Sequence, residues 1–363
     1  MPCSNGWRAS RSSSSSSPMR SGRHDRDPPH RTPFFGDVMT ADGTLAVGVD
    51  LGGTKIQAVV VDGAGGVVRR HRRPTDASRG ADAVIGDIVA CIRDACLPDL
   101  EGSVVAVGVG VAGQVDGTTG AVRYAPNLGW RDIPLASLLG VRLALPVSVL
   151  NDVQAAAYGE HRFGAGRGVG DLVCLFIGTG VGGGVVARGE LLQGCTGSAG
   201  ELGHVTIDRD GPLCRCGNRG CLEAFAGGWA IAARAREAAT ADGVAGATLQ
   251  ALAGGDLERI TAETVAEAAR RGDPLAQQIA GEAGEALGIG AASIVNAFNP
   301  CALILGGGVI EGFPQLIAAM RAGIAQRALA WPGAAVRVVK AALDRDAGGI
   351  GAAEWARRTP GSD

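Results

Sequence analysis

The segment LAVGVDLGGTKIQAVVVD, residues 45–62, consists of two apolar, β-branched runs on either side of a turn with two glycines. This pattern is typical of a β-hairpin. A third run, Val67–Arg73, extends the hairpin to an antiparallel meander. About 125 residues after the first run, the strand–glycine turn–strand pattern returns at Leu172–Ile177 and Gly184–Arg188. The repeat predicts two related α/β lobes with a cleft between them, where ligands usually bind.

The other elements of such lobes follow from apolar periodicity and turn signals. Further strands are predicted at Val104–Val109, Val147–Leu150, Cys301–Leu305 and Ala335–Lys340. Helices are predicted at Ala81–Cys96, Asp152–His161, Pro314–Arg327 and from Ala347, and they dominate Ala224–Phe298. We expect a small lobe over residues 40–155 and a large lobe over 156–346, with a final helix at 347–363 that returns to the small lobe.

Length and composition narrow the classes of function. The 363 residues suit two domains, and 46% of them are hydrophobic, which is enough for sizeable cores. A net charge of -2 and an aromatic content of 4% argue against a general nucleic-acid binder. The uncharged segment Ala286–Ile310 contains asparagines, a proline and a run of three glycines, so we expect no membrane span. Nine cysteines without a signal peptide indicate a reducing, cytoplasmic compartment.

Residues 1–39 differ from the rest of the chain. They hold six arginines, three aspartates, nine serines and five prolines, without apolar periodicity, which predicts a disordered N-terminal arm. A transit peptide is an alternative interpretation, but three acidic residues disfavour it. We expect that translation starts at Met39, just before the first strand.

Three glycine-rich turns carry the first chemical signals. The first turn, Asp50–Lys55, could cradle phosphate oxygens with its backbone N–H groups, and Asp50 could orient a hydrated Mg²⁺, although an ordinary hairpin turn is the alternative. The second turn, Gly178–Gly184, matches the dinucleotide fingerprint, but a strand rather than a helix follows it. We therefore predict a second phosphate-binding hairpin. The third turn, Gly306–Gly308, would let a ligand ring approach the backbone.

Two further motifs add metal-binding and acid–base groups. Cys214, Cys216 and Cys221, together with His204, make a closed set of four ligands that predicts a structural Zn²⁺ site. The pair Asn151-Asp152 lies where a strand ends and a helix begins. A carboxylate there is either a helix N-cap or a general base that projects into the cleft.

These motifs, in this order and with the stretch Gly200–His204 and Glu223, resemble the ROK family of bacterial sugar kinases and repressors. The resemblance extends from about Leu45 to the C-terminal helix. It implies a two-lobed, actin-like ATPase fold of the ribonuclease H-like type, with an interlobe cleft. Two positions depart from the common family pattern: Gly227 stands where a serine is frequent, and Ala112 where a proline is frequent.

The resemblance also implies the ligands and the residues that bind them. ATP would be held by Asp50, Gly52, Gly53, Thr54, Lys55, Gly178, Thr179, Gly180, Gly307 and Gly308. The sugar hydroxyls would be bound by Asn127, Asn151, Asp152, Glu201, His204 and Glu223, with Gly113 as a further candidate for close backbone approach. Asp152 would be the general base, with Mg²⁺ on the phosphates. His204 would bind zinc through one ring nitrogen and the sugar through the other.

The expected activity is ATP-dependent phosphorylation of the 6-hydroxyl of glucose, with a place in glycolysis. N-acetylglucosamine, N-acetylmannosamine, fructose, mannose and allose remain alternative sugars. ATP is favoured over polyphosphate because the sequence shows no basic track. The family also implies a homodimer or homotetramer. A repressor would need a winged helix-turn-helix before the sugar region, which the arm does not resemble, and a sugar sensor without turnover would need no base at Asp152.

Overall fold

The computed structural model describes residues 44–97 and 99–359. The predicted arm at residues 1–39 lies outside the described residues. The strands are β1 Leu45–Leu51, β2 Lys55–Val61, β3 Val67–Pro74, β4 Val104–Val111, β5 Gln114–Val115, β6 Val122–Ala125, β7 Trp130–Ile133, β8 Val147–Asn151, β9 Leu172–Ile177, β10 Val181–Ala187, β11 Glu190–Leu191, β12 Ala302–Gly306 and β13 Arg337–Lys340. The helices are α1 Ala81–Cys96, α2 Leu135–Leu143, α3 Asp152–Phe163, α4 Glu223–Ala226, α5 Gly228–Ala241, α6 Ala247–Leu252, α7 Ala262–Arg270, α8 Pro274–Phe298, α9 Gly308–Gly312, α10 Gln315–Arg327, α11 Ala330–Ala335 and α12 Ala347–Arg358.

Two five-stranded sheets share one topology. The first has the order β3-β2-β1-β4-β8 and the second the order β11-β10-β9-β12-β13. In both, the first three strands along the chain are antiparallel neighbours, and the last two extend the sheet in parallel from the opposite side of the first strand. The predicted repeat of the strand–turn–strand pattern is therefore confirmed as a duplication of a whole sheet. The lobe boundaries at residues 155 and 346 stay a prediction.

The second hairpin differs in one boundary from its prediction. Strand β10 begins at Val181, whereas the sequence placed its start at Gly184. Glycines have low strand propensity, but three of them are required here because a Cβ on Gly182, Gly183 or Gly184 would collide with Val153, Leu202 or Ala157. The packing of α3 against β10 thus overrides local propensity.

A small third sheet was not predicted. Its order is β5-β6-β7, and the two-residue β5 is too short to give a periodic signal. A 3₁₀ turn at Pro126–Leu128 joins β6 to β7 and carries Asn127. Helix α2 follows β7 and also escaped prediction.

Helix α12 packs against the first sheet and α3. Gly48 and Gly108 permit this contact, because a Cβ on either would collide with a carbonyl oxygen of α12, that of Gly349 or Ala352. A Cβ on Gly348 would lie 3.8 Å from the Asp152 carbonyl oxygen and 3.9 Å from Cγ of Asp50. The start of α12 therefore lies beside both acidic residues.

The apolar cores follow the sheets. One buried cluster joins the first sheet to α1 and α2, and another joins the second sheet to α5, α7, α8 and α10. Among the residues that the structure describes, no helix combines the length and apolar content that crossing a membrane requires.

Candidate active site

The end of β8 and the start of α3 place Asn151 and Asp152 side by side. Oδ1 of Asn151 accepts hydrogen bonds from the N–H groups of Val153 at 2.9 Å and Gln154 at 3.1 Å, and its Nδ2 donates to the Gly113 carbonyl oxygen at 3.2 Å. Asn151 is thus the N-cap of α3. Asp152 accepts, through Oδ1, a bond from the Val153 N–H at 3.0 Å that is shared with Asn151. Because Asn151 makes the cap, the Asp152 carboxylate is left for other partners.

Asp152 has a strongly perturbed pKa. Burial raises the pKa of its carboxyl group from 3.8 to about 6, and repulsion from Asp50 and, less, from Glu201 adds to the effect. Part of the Asp152 surface remains accessible, yet the carboxylate lies deep among protein atoms, which is why burial is the leading cause. At neutral pH this group is ionised but is basic enough to accept a proton, the property required of a general base.

Asp50 lies on β1, in one row with Gln57 of β2 and Arg72 of β3. Nε of Arg72 donates to Oε1 of Gln57 at 2.6 Å. Burial raises the pKa of Asp50, whereas the charges of Lys55 and Arg72 oppose that rise. Since Asp50 and Asp152 also repel each other, the two carboxylates form a place where a cation would be stabilised.

The first turn brings a predicted phosphate site next to a predicted sugar residue. The Gly52 N–H donates to the Lys55 carbonyl oxygen at 3.0 Å, and the side chains of Thr54 and Lys55 are exposed. A Cβ on Gly53 would lie 2.9 Å from Cβ of Asn127. Only glycine allows this contact without a shift, so Gly53 and Asn127 determine each other's position.

The second and third turns are also neighbours. The carbonyl oxygen of Thr179 accepts a hydrogen bond from the Trp229 backbone N–H at 3.1 Å. The side chain of Thr179 is exposed. Gly307 has φ +94°, and a Cβ there would collide with the Ile177 carbonyl oxygen, just before the second turn. By contrast, a Cβ on Gly308 would meet no atom within 4 Å. The space beside the Gly308 backbone is therefore open.

An open, charged cavity of about 580 Å³ lies close to two of these parts of the molecule. Arg70 and Arg72 of β3 line one side, and Glu311 of α9 and Lys340 of β13 line the other. Arg72 belongs to the row that contains Asp50, and α9 begins at Gly308. The cavity therefore extends from the strand row of Asp50 to the helix that follows the third turn.

Glu223, Glu201 and His204 form the remaining ionisable part of the site. Oε2 of Glu223 accepts from the Val181 N–H at 2.9 Å, and Oε1 accepts from Nε1 of Trp229 at 3.2 Å. Burial raises the pKa of Glu201; the charge of His204 opposes this and that of Glu223 adds to it. These interactions bring the three residues together.

The cysteine loop, residues 214–221, gathers the four predicted metal ligands. The ligand atoms of Cys214, Cys216, Cys221 and His204 all lie within 4.8 Å of one another. The Sγ atoms of Cys216 and Cys221 are 3.6 Å apart, and Sγ of Cys214 is 3.7 Å from Nδ1 of His204. A tetrahedral zinc with sulfur ligands at 2.3 Å needs ligand separations of about 3.8 Å. The donor set and its spacing fit such an ion.

Some residues of this site escaped prediction. Trp229 binds Glu223 through its side chain and Thr179 through its backbone. The signal that could have found it is its residue type and position, because a tryptophan a few residues after a site glutamate can donate its N–H to that carboxylate. The row that joins Arg72 to Asp50 depends on strand register, for which the sequence held no separate signal.

Comparison with known proteins agrees with this arrangement. The model of the ROK family matches residues 46–359. A glucokinase of Streptomyces coelicolor is 37% identical over 315 residues, which covers 86% of this chain and 98% of the relative. A solved ROK family glucokinase from Streptomyces griseus, in complex with glucose and AMPPNP, is 39% identical with a TM-score of 0.76, covering 86% of this chain and 99% of that one. The xylose repressor of Bacillus subtilis is 30% identical over 86% of this chain and 77% of its own length.

Proposed function

The chain belongs to the ROK family, and we propose that it is an ATP-dependent glucokinase that phosphorylates the 6-hydroxyl of glucose. The fold is the actin-like ATPase fold of these kinases, as predicted. The observation that carries the proposal is the Asp152 carboxylate, poised with a pKa of about 6 beside Asp50 and Glu201. The kinases also match this chain at higher identity than the xylose repressor does, which favours the enzyme.

Asp152 is the proposed general base. Its carboxylate takes the proton of the sugar 6-hydroxyl as that oxygen bonds to the γ-phosphorus, while the bond from the γ-phosphorus to the bridging oxygen of ADP breaks. The elevated pKa supports this role because the base must be free at neutral pH and still attract a proton. Asn151 supports it indirectly, since it caps α3 and relieves Asp152 of that task.

The sugar would be bound by Asn127, Asn151, Glu201, His204 and Glu223. Carboxylates and amides suit hydroxyl groups, each of which is both a donor and an acceptor. Glu223 is already fixed by two hydrogen bonds, which supports a precise orientation. The Asn151 amide has one N–H left for a ligand after its cap and its bond to Gly113.

ATP would span the three turns. Backbone N–H groups of Gly53 and Gly180, with Gly52, Thr54, Lys55, Gly178 and Thr179, would surround its phosphates. Gly307 and Gly308 would approach the adenosine, and the open Cβ direction of Gly308 supports this. The cavity of about 580 Å³ is lined by Arg72, from the strand row of Asp50, and by Glu311 of α9, and its basic side chains would suit the phosphates of a nucleotide. Asp50 would hold Mg²⁺, which neutralises phosphate charge during transfer.

The three thiols of the cysteine loop and the His204 ring would hold a structural Zn²⁺. With Nδ1 directed at the thiols, Nε2 of His204 is left for a sugar hydroxyl. The ion would fix the loop that precedes Glu223 and would take no part in the reaction.

We place the enzyme in the cytoplasm, because Cys214, Cys216 and Cys221 gather with His204 in a metal-type cluster, the use of cysteine that is typical of a reducing compartment. The homodimer or homotetramer implied by the family stays a prediction, which light scattering would test.

The direct test is a coupled ADP-release assay with ATP and Mg²⁺ over glucose, fructose, mannose, allose, N-acetylglucosamine and N-acetylmannosamine. We expect the highest kcat/KM with glucose. A preference for an N-acetylated sugar would overturn the substrate but not the kinase. The absence of turnover on every sugar by folded, metal-loaded protein would contradict the proposal.

A further inference from the structure

We propose that Trp229 is a positioning residue that orients Glu223 for the sugar and links it to the cysteine loop and the second turn. The inference rests on the proposed function, because it assigns Glu223 to sugar binding. Trp229 is the second residue of α5, six positions after Glu223, and it lies outside the motifs that carry the family resemblance.

The Glu223 carboxylate is anchored from two sides. Nε1 of Trp229 donates to Oε1 at 3.2 Å, and the Val181 N–H donates to Oε2 at 2.9 Å. A carboxylate oxygen accepts more than one hydrogen bond, so each oxygen can still bind a sugar hydroxyl. Without the bond to Trp229, Oε1 would keep only a long contact with Sγ of Cys214, at 4.0 Å. The carboxylate could then rotate about the bond from Val181 to Oε2, and its orientation toward a ligand would have to be fixed on binding.

Trp229 is itself fixed by contacts with two other parts of the site. The guanidinium of Arg215, in the cysteine loop, stacks over the indole ring with its Cζ 4.7 Å from the ring centroid. The backbone N–H of Trp229 donates to the carbonyl oxygen of Thr179 in the second turn at 3.1 Å. One residue therefore contacts the metal-binding loop, the sugar glutamate and a phosphate turn.

The three contacts depend on different parts of Trp229. Its backbone hydrogen bond to Thr179 is kept when the side chain is replaced by another aromatic one, and so is the stacking of Arg215 on the ring. Only the Nε1–H is specific to tryptophan and directed at Glu223. Trp229→Phe therefore removes the Glu223 anchor while it keeps the other two contacts, which separates positioning from scaffolding.

The experiment compares Trp229→Phe with wild type in steady-state kinetics and in calorimetric titration with glucose alone. Because a hydrogen bond to a charged group changes an equilibrium by about tenfold or more, we expect the KM and Kd for glucose to rise about tenfold. The kcat and the KM for ATP should stay within about twofold, as should the bound metal, because Asp152, the second turn and the cysteine loop are untouched. Trp331→Phe is the matched control, since Trp331 is 85% exposed and should leave all values unchanged.

A second variant keeps the tryptophan. Arg215→Ala removes the stacking partner, and we expect a smaller rise in the glucose KM, about threefold, in the same direction. An unchanged glucose KM and Kd in Trp229→Phe would overturn the proposal. So would parallel losses in glucose affinity, ATP affinity and bound metal, which would show that Trp229 is only a scaffold. If wild type itself turned over no glucose, the proposed function would fail instead.

Discussion

Replacing Asp152 with asparagine should abolish turnover and make the protein more stable. The folded protein raises the pKa of Asp152 from 3.8 to about 6, so it binds the proton more tightly than the unfolded chain does. The stability of the wild type therefore falls as the pH rises from about 4 to about 6, and the cost of the buried charge is complete above that range. Asparagine carries no charge and avoids this cost at every pH.

The size of the gain follows from the two pKa values. At about 1.36 kcal/mol per pH unit, the difference amounts to about 3 kcal/mol at pH 7.5 and about 1.6 kcal/mol at pH 5. Part of the Asp152 surface is accessible, so these are upper limits, and we expect more than about 1 kcal/mol at pH 7.5. The gain should be smaller at pH 5 than at pH 7.5.

Urea unfolding at both pH values, together with ADP release under saturating glucose and ATP, checks this. Asp116→Asn is the control with the opposite sign, because its hydrogen bond with Arg123 lowers the pKa of Asp116 to about 2. That variant should keep turnover and gain no stability. Near-normal turnover of Asp152→Asn would exclude the residue as base. A loss of stability at pH 7.5 would refute the account of its buried charge.

Three further predictions concern the metal, the nucleotide and pH. Cys216→Ser should lose the bound zinc and raise the glucose KM at least tenfold. Cys195→Ser, at an exposed free cysteine, is the control and should change neither value. Unchanged metal content of Cys216→Ser by elemental analysis would contradict this prediction. Gly308→Val should raise the KM for ATP at least tenfold with unchanged glucose binding, because the valine side chain would enter open space that we assign to adenosine. Gly243→Val, whose side chain also enters open space, is the control. An equal KM for ATP in the two variants would refute the assignment. The kcat/KM for glucose should fall about tenfold per pH unit below about pH 6, as Asp152 becomes protonated, and a flat profile down to pH 5 would contradict its role.

Much of the fold could be predicted because its pattern is local. The three strands after residue 44 and their repeat at Leu172 have apolar runs and glycine turns that are visible in the sequence. The β5–β7 sheet has no such signal, since its strands have only two to four residues. That sheet places Asn127 against Gly53, so part of the site depends on an element that periodicity does not detect.

The sequence could predict which residues belong to the site, but not which role each of them has. The sequence left open whether Asp152 caps a helix or acts as a base, and the structure gives the cap to Asn151. The early start of β10 was missed because its glycines are required by close packing against Val153 and Leu202, which the sequence does not show. Trp229 was missed because neither its hydrogen bond to Glu223, six residues away, nor the stacking of Arg215 on its ring has a signal in the sequence. Side-chain contacts in the folded protein, rather than local propensity, thus determine these details.

The formation of glucose 6-phosphate by the purified protein is the measurement that matters first. With glucose, ATP and Mg²⁺, wild type should produce one glucose 6-phosphate for each ADP, identified by ³¹P NMR, and Asp152→Asn should produce none. ADP release without a phosphorylated sugar, or equal yields from both proteins, would contradict a glucokinase that uses Asp152 as its base.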